Sequence, residues 1–149
     1  TICLSITGIY DFAVIVKGNG PGRRVAVNMN SDLTCWLAEH LDKNDLLLTP
    51  EYSMNEVTMS GVMLYCGWPY YAWSAGYDTN YRAAQAVTIY TTSDSETLKS
   101  TVKQEKITYI LFEEGSEFEQ QVCQEETIAA TYEKVYETQD GRIRIYKTN

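Results

Sequence analysis

A short aromatic segment, residues 67–78, carries the side chains of this sequence that are best suited to binding. It reads GWPYYAWSAGYD, so five aromatic rings, two glycines and a proline precede a terminal acid. Pro69 lacks an N–H and disfavours the helical conformation at Trp68, so we expect a structured loop rather than a regular helix. The rings of that loop are either folded inward as a plug or displayed as a platform.

Other residue types with catalytic or metal-binding potential form no recognisable site. The four cysteines form no Cys-x-x-Cys pair and have no neighbouring histidine, which disfavours a zinc site. Four cysteines in a domain of this size do not require disulfides. We predict that they are small buried hydrophobes: Cys3, Cys35, Cys66 and Cys123. The single histidine, His40, falls at the end of a predicted helix, where its imidazole can meet the last carbonyls. A Ser–His–Asp triad would have to recruit this residue, and no nucleophile elbow accompanies it.

Acidic residues are concentrated between positions 113 and 126, where the chain has six glutamates. The stretch lacks the Asp-x-Asp-x-Asp-Gly order of a calcium loop, which favours a solvated acidic surface. The glycine-rich residues 18–22 are not followed by Lys-Ser/Thr, so they do not indicate a phosphate-binding loop. The sequence therefore predicts no metal, no cofactor and no catalytic apparatus within this chain.

Length and charge limit the class of protein. The 149 residues fit one domain with its own core, and the 12 tyrosines against three phenylalanines suit surfaces that are half apolar and half wet. The formal net charge of −8 argues against nucleic acid or anionic lipid as a partner, because binding to phosphate needs an excess of lysine and arginine.

The elements that must position the aromatic segment alternate between strands and helices. Strands are predicted at residues 23–28, 45–49, 62–66 and 107–112, the second of them central and parallel and the third buried, and a final hairpin joins 132–137 to 142–146 around Asp140-Gly141. Helices are predicted from Ser31 or Asp32 to His40 or Leu41, from Asn80 to about Thr91, and from the capping box at residues 93–96, with a weak turn or short helix at 52–61. This order predicts an α/β three-layer sandwich with a mostly parallel, Rossmann-like sheet and an antiparallel C-terminal hairpin.

The apolar N-terminal segment, residues 1–17, is treated apart from the single α/β domain at residues 18–149. Apolar residues at even positions fit a buried strand, whereas Ile2, Ile6 and Ile9 fit a helix, and both alternatives stay open. The segment is shorter than the ~20 residues of a membrane-spanning helix. It could still be the outer end of such a helix.

The order of these pieces resembles the C-terminal extracytoplasmic region of a bacterial family of polytopic membrane proteins that look like GT-C-type glycosyltransferases. The resemblance covers nearly the whole chain. It rests on TGIYD at residues 7–11, DLLLTP at 45–50, SGV at 60–62 and, most specifically, on residues 67–82. One departure is Asn55, near which members of the family often carry a histidine.

The resemblance implies a non-catalytic accessory lobe on the extracytoplasmic side of the cell membrane. The catalytic acid of GT-C enzymes lies between early transmembrane helices, which this chain does not contain. The implied partners are the protein's own membrane-spanning region and a glycan or polyprenyl-phosphate sugar. Aromatic faces stack on pyranose rings while polar groups bind the hydroxyls. The implied binding residues are Trp68, Tyr70, Tyr71, Trp73 and Tyr77, with Asp78 and Arg82 as polar ends.

Two alternatives use the same residues differently. An independent carbohydrate-binding module requires that Trp68 or Trp73 be exposed. A structural or interaction domain requires that these rings plug the end of the sheet, that Asp78 cap the following helix, and that the largest apolar patch lie near residues 1–16.

Overall fold

The computed structural model describes residues 10, 12–15, 17–18, 28, 30–51, 55–67 and 69–149, with only the backbone at residues 55, 69 and 71. Residues 1–9, Trp68 and the strand predicted at 23–28, apart from Asn28, lie outside the described residues. The strands are β1 (Leu46–Leu48), β2 (Met63–Leu64), β3 (Tyr109–Glu113), β4 (Glu117–Phe118), β5 (Gln121–Val122), β6 (Glu133–Glu137) and β7 (Ile143–Lys147). The helices are α1 (Asp32–His40), α2 (Asn55–Met59), α3 (Pro69–Ser74), α4 (Thr79–Thr91), α5 (Ser95–Glu105) and α6 (Glu126–Thr131).

Within the described part of the chain, the main sheet has five strands in the order β2-β1-β3-β7-β6. β1 pairs in parallel with β2 and with β3, which confirms the predicted central parallel strand. β7 then pairs antiparallel with β3, and β6 with β7, which confirms the C-terminal hairpin. The strand predicted at 62–66 is shorter than expected. The prediction that it is buried was wrong for Met63, which is 58% exposed, because β2 lies at the edge of the sheet among the described strands.

Apolar side chains leave both faces of this sheet, because successive strand residues point in opposite directions. Leu47, Leu111 and Ile145 pack with Leu37 of α1, in a cluster that also holds Val57 of α2. The residues next to them, Leu48, Ile110 and Tyr146, pack in a second cluster, to which α4, α5 and α6 contribute Ile89, Leu98 and Ile128. The predicted α/β class is confirmed, with a mixed sheet and apolar cores on both of its faces.

The start of α1 follows the predicted capping pattern, whereas α5 is capped by Asp94 and not by Ser93 of the predicted capping box. Ser31 caps α1 by accepting a hydrogen bond from the Thr34 N–H, and Asp94 caps α5 by accepting from the N–H groups of Glu96 and Thr97. These side-chain oxygens satisfy N–H groups that have no partner inside the helix.

The acidic stretch contains a short hairpin that was not predicted. β4 and β5 pair antiparallel, and their two turn residues, Glu119 and Gln120, both have positive φ, as a tight hairpin turn requires. Phe118 and Cys123 are buried under this hairpin while Glu117 and Glu119 are exposed. The exposed glutamates of this hairpin therefore lie on its outer side.

The N-terminal segment is helical wherever it is described, at residues 10, 12–15 and 17–18. Its described apolar side chains face solvent, with Tyr10 and Phe12 each 68% exposed, Ile15 59% and Val14 51%. Among the residues that the structure describes, no helix has both the length and the apolar character needed to cross a membrane.

Candidate functional site

The aromatic segment contains a helix, α3, so the prediction of a loop without regular helix was wrong. Pro69 occupies the first helical position, where a backbone N–H would have no acceptor within the helix and where the fixed φ of proline suits a helix. α3 ends in a pair of hydrogen bonds, from Gly76 N to Trp73 O at 2.9 Å and from Tyr77 N to Ala72 O at 3.1 Å. Gly76 has a φ of +84°, as this type of helix end requires.

The rings of this segment that can be described point to solvent. Tyr70 is 61% exposed, Trp73 65% and Tyr77 70%. Tyr70 and Trp73 lie three residues apart on one side of α3, with ring centroids 6.1 Å apart and planes tilted by 40°. Trp73 therefore does not plug the sheet. Trp68 and the side chain of Tyr71 lie outside the description.

The two predicted polar residues are both held by local contacts. Asp78 caps α4, because its carboxylate accepts a hydrogen bond from the Tyr81 N–H at 3.2 Å. Nη1 of Arg82 donates to the carbonyl of Tyr65 at 2.8 Å, and its guanidinium lies 5.2 Å from the centroid of the Tyr65 ring. Arg82 thus ties α4 to the end of β2. Both side chains are exposed.

The exposed rings of Tyr70, Trp73 and Tyr77 form an aromatic surface. Sequence reasoning missed four further residues, which form a cluster next to it: Tyr65, Tyr81, Gln104 and Glu105. The Glu105 carboxylate accepts a hydrogen bond from the Tyr65 hydroxyl at Oε2 and one from the Tyr81 hydroxyl at Oε1, both at 2.7 Å. Nε2 of Gln104 donates to the Tyr81 hydroxyl at 3.0 Å. These contacts join residues 23 to 40 positions apart, and nothing in the local sequence indicates them.

The electrostatics of this cluster keep its phenols protonated. Burial, followed by the hydrogen bond to Glu105, raises the pKa of Tyr65, and the hydrogen bond to Glu105 raises the pKa of Tyr81. Both hydroxyls are therefore neutral donors at physiological pH. Burial likewise raises the pKa of the adjacent Cys66 thiol to about 11, so this thiol is not an activated nucleophile.

The segment follows the carboxyl end of β2. Open α/β sheets bind ligands outside the carboxyl ends of their parallel strands.

A separate cleft, of about 480 Å³, lies by the start of α1 and is lined by Asp32, Glu56, Glu113 and Asp140 as well as Arg142. Across the described ranges, no group of three or more His, Cys, Asp or Glu side chains could hold a metal ion.

His40 and the cysteines take structural positions. Nδ1 of His40 lies 2.8 Å from the carbonyl of Trp36, and its ring stacks on that indole at 4.5 Å, which confirms the predicted contact with the end of α1. Cys123 is buried as predicted and Cys66 is half-buried, but Cys35 is exposed, so the prediction was wrong there. Cys3 lies outside the described residues.

Comparisons with known proteins add no relative from which function could be carried over. No protein-family model matches the chain, and no curated protein matches it either. The resemblance of residues 67–82 to GT-C-like membrane proteins therefore stays a prediction.

Proposed function

We propose that this chain is a non-catalytic, extracytoplasmic accessory domain of a membrane protein resembling GT-C-type glycosyltransferases, and that its aromatic surface contacts a glycan or a lipid-linked sugar. The observation that carries the proposal is the exposure of Tyr70, Trp73 and Tyr77 on and just after α3. Large aromatic side chains usually contribute to the core, so a group of them turned to solvent suggests a binding surface. The flat apolar faces of pyranose rings suit such a surface.

Polar groups beside the rings supply the hydrogen bonds that sugar hydroxyls need. Asp78 and Arg82 are exposed, and the Tyr81 hydroxyl forms a chain of hydrogen bonds with Gln104 and Glu105. A carboxylate, a guanidinium and an amide together offer both acceptors and donors. This combination favours a neutral, hydroxyl-rich ligand.

We also propose that the fold is a Rossmann-like three-layer sandwich. The parallel order β2-β1-β3 and the apolar clusters on both faces of the sheet support this description. In such folds the carboxyl ends of the strands form the ligand-binding edge, and the aromatic surface follows β2 at that edge.

The membrane context rests on the N-terminal helical residues. Tyr10, Phe12, Val14 and Ile15 are exposed although they project in different directions around a helix. Exposed apolar side chains grouped in this way are typical of a segment covered by lipid or by other protein. This observation supports the protein's own membrane-spanning region as a partner. It also favours a second candidate function, a docking domain without glycan binding, although the exposed Trp73 does not meet the plug condition of that alternative.

Tryptophan fluorescence tests the glycan proposal, because Trp36, Trp68 and Trp73 are the only reporters in the chain. The intact chain is titrated with neutral oligosaccharides and polyprenyl-phosphate sugars in the presence of iodide. Quenching of exposed indole should be relieved by a ligand in the wild type and not in Trp73→Ala. Emission indifferent to every ligand would remove the glycan proposal and leave the docking domain.

The docking alternative has its own test. Flotation with phosphatidylcholine vesicles should recover the wild-type chain, and the double substitution Phe12→Ser with Ile15→Ser should abolish that recovery. Equal flotation of the two proteins would remove the N-terminal residues from any role in membrane contact.

A further inference from the structure

A groove with a charge opposite to that of the whole protein lies between α5, α6 and the last residues of the chain. It measures about 620 Å³, within the roughly 300–1,000 Å³ of small-molecule sites. It opens at the amino end of β3, because Ile107 and Thr108 line it. It is therefore distinct from the aromatic surface, which follows the carboxyl end of β2.

Three lysines line the groove, Lys99, Lys103 and Lys106, and none of the aspartate or glutamate side chains that the structure describes does. Lys99 forms an exposed ion pair with Glu96 at 3.2 Å, and ion pairs of this type contribute little to stability. Lys103 and Lys106 form no ion pair with any residue whose side chain the structure describes. Unpaired lysines are notable in a chain with 20 acidic against 12 basic residues.

Lys106 is held in an unfavourable backbone conformation. It is the C-cap of α5, with φ 56° and ψ 33°, in the left-handed region where glycine is usual at a helix end. A side chain with a Cβ is disfavoured there relative to glycine. A lysine at this position therefore suggests that its ammonium group has a use that offsets the strain.

The groove offers few other donors to a ligand. The hydroxyls of Thr108, Thr131 and Thr148 donate to the main-chain carbonyls of Leu46, Thr127 and Ile107 respectively. The remaining lining is mainly apolar. Val102 and Ile107 form its floor, Tyr132 is half-buried, and the lysine methylenes add to it. The lysine ammonium groups are thus the principal polar contacts that the groove presents.

The charge of the groove exceeds what the helix ends require. α5 ends at Glu105 and α6 at Thr131, and each helix end contributes at most about half a negative charge. With Lys99 paired to Glu96, the two unpaired ammonium groups and the two helix ends leave a net positive charge of roughly one. A phosphate monoester carries about −1.5 to −2 at neutral pH, so it is attracted to this groove and can draw Lys99 from its weak, exposed ion pair.

We propose that this groove binds a phosphate monoester with an apolar substituent. The phosphate lies among the ammonium groups of Lys99, Lys103 and Lys106, and the apolar chain lies along Val102, Ile107 and Tyr132. The proposal does not depend on the glycan-binding function of the opposite edge.

Calorimetric titration of the intact chain with n-octyl phosphate, below its micelle concentration and at low salt, tests the site. Lys103→Gln and Lys106→Gln should each weaken binding about five- to tenfold, the effect of one charge contact near a protein surface. The matched control is Lys43→Gln, which removes an exposed lysine that does not line the groove. It should change the affinity less than about twofold.

Lys106→Gly separates binding from stability. It should raise the thermal midpoint, because glycine relieves the left-handed conformation, and should weaken octyl phosphate binding as much as Lys106→Gln. Inorganic phosphate and octanoate should both bind more weakly than octyl phosphate. Equal binding by the lysine variants and the wild type, equal binding of inorganic phosphate, or no binding of octyl phosphate would each overturn the proposal.

Discussion

The hydroxyl of Tyr90 donates a hydrogen bond of 2.6 Å to the main-chain carbonyl of Leu111, and both residues are fully buried. The contact joins α4 to β3 through the core. Burial raises the pKa of Tyr90 well above its ordinary value, so the hydroxyl stays protonated and available as a donor. A phenylalanine would fill the same space and leave the carbonyl of Leu111 without this donor.

Tyr90→Phe should therefore lower the free energy of unfolding by about 1–2 kcal/mol, the usual effect of removing one partner of a buried hydrogen bond. Urea unfolding followed by circular dichroism measures the change. The matched control is Tyr77→Phe, which removes a hydroxyl from a ring that is 70% exposed. Its effect should stay within about 0.5 kcal/mol, and equal losses in the two variants would contradict the assignment.

Trp73→Ala should leave the fold intact. The indole is 65% exposed, so its truncation opens no cavity, and we expect a change in unfolding free energy within about 0.5 kcal/mol. Leu37→Ala provides the comparison, because Leu37 is fully buried and its truncation should cost about 2–5 kcal/mol. A loss of several kcal/mol for Trp73→Ala would restore the plug alternative for this ring.

The elements that were predicted correctly are those whose local sequence decides their structure. α1 and α5 follow from a capping residue and an apolar face, and the hairpin of β6 and β7 follows from Asp140-Gly141. In each case the signal lies within a few residues, so no tertiary information is needed.

The errors come from signals with two meanings. Pro69 inside a helix would break it, which is the basis of the loop prediction, whereas at the first helical position a proline favours a helix. Gly76, placed just after α3, was the cue that a helix ends there. The burial of residues 62–66 was overestimated because an apolar sequence does not reveal whether a strand is central or at the edge. The contacts of Glu105 depend on residues distant in sequence, so they emerge only from the fold.

Alkaline pH should destabilise the protein through its tyrosines. Burial and hydrogen bonds to glutamates raise the pKa of Tyr65 and Tyr146 above the ordinary value of 10.0. The unfolded chain therefore loses these protons at a lower pH than the folded chain. This contribution to stability is complete below about pH 10 and is lost as the pH rises through the pKa values that the two tyrosines have in the folded chain.

Urea unfolding at a series of alkaline pH values measures this loss. Tyr65→Phe and Tyr146→Phe should each make the fall in unfolding free energy with pH less steep, because each removes one linked proton. If the unfolding free energy fell as steeply with pH in both variants as in the wild type, other groups would control the loss of stability at alkaline pH.

Thiol reactivity should separate two cysteines that the sequence does not distinguish. Cys35 is exposed, whereas Cys66 is half-buried and burial raises its pKa to about 11. At pH 8 roughly one Cys66 thiol in a thousand is then ionised, and only the thiolate reacts. In a Cys3→Ser background, iodoacetamide should modify Cys35 well before Cys66, as followed by peptide mass spectrometry over time.

Urea should make the two modification rates similar, because unfolding exposes both thiols to water. If Cys66 reacted as fast as Cys35 in the folded chain, the packing at the end of β2 would have to be looser than described, and the link from Arg82 to Tyr65 would be the first contact to re-examine.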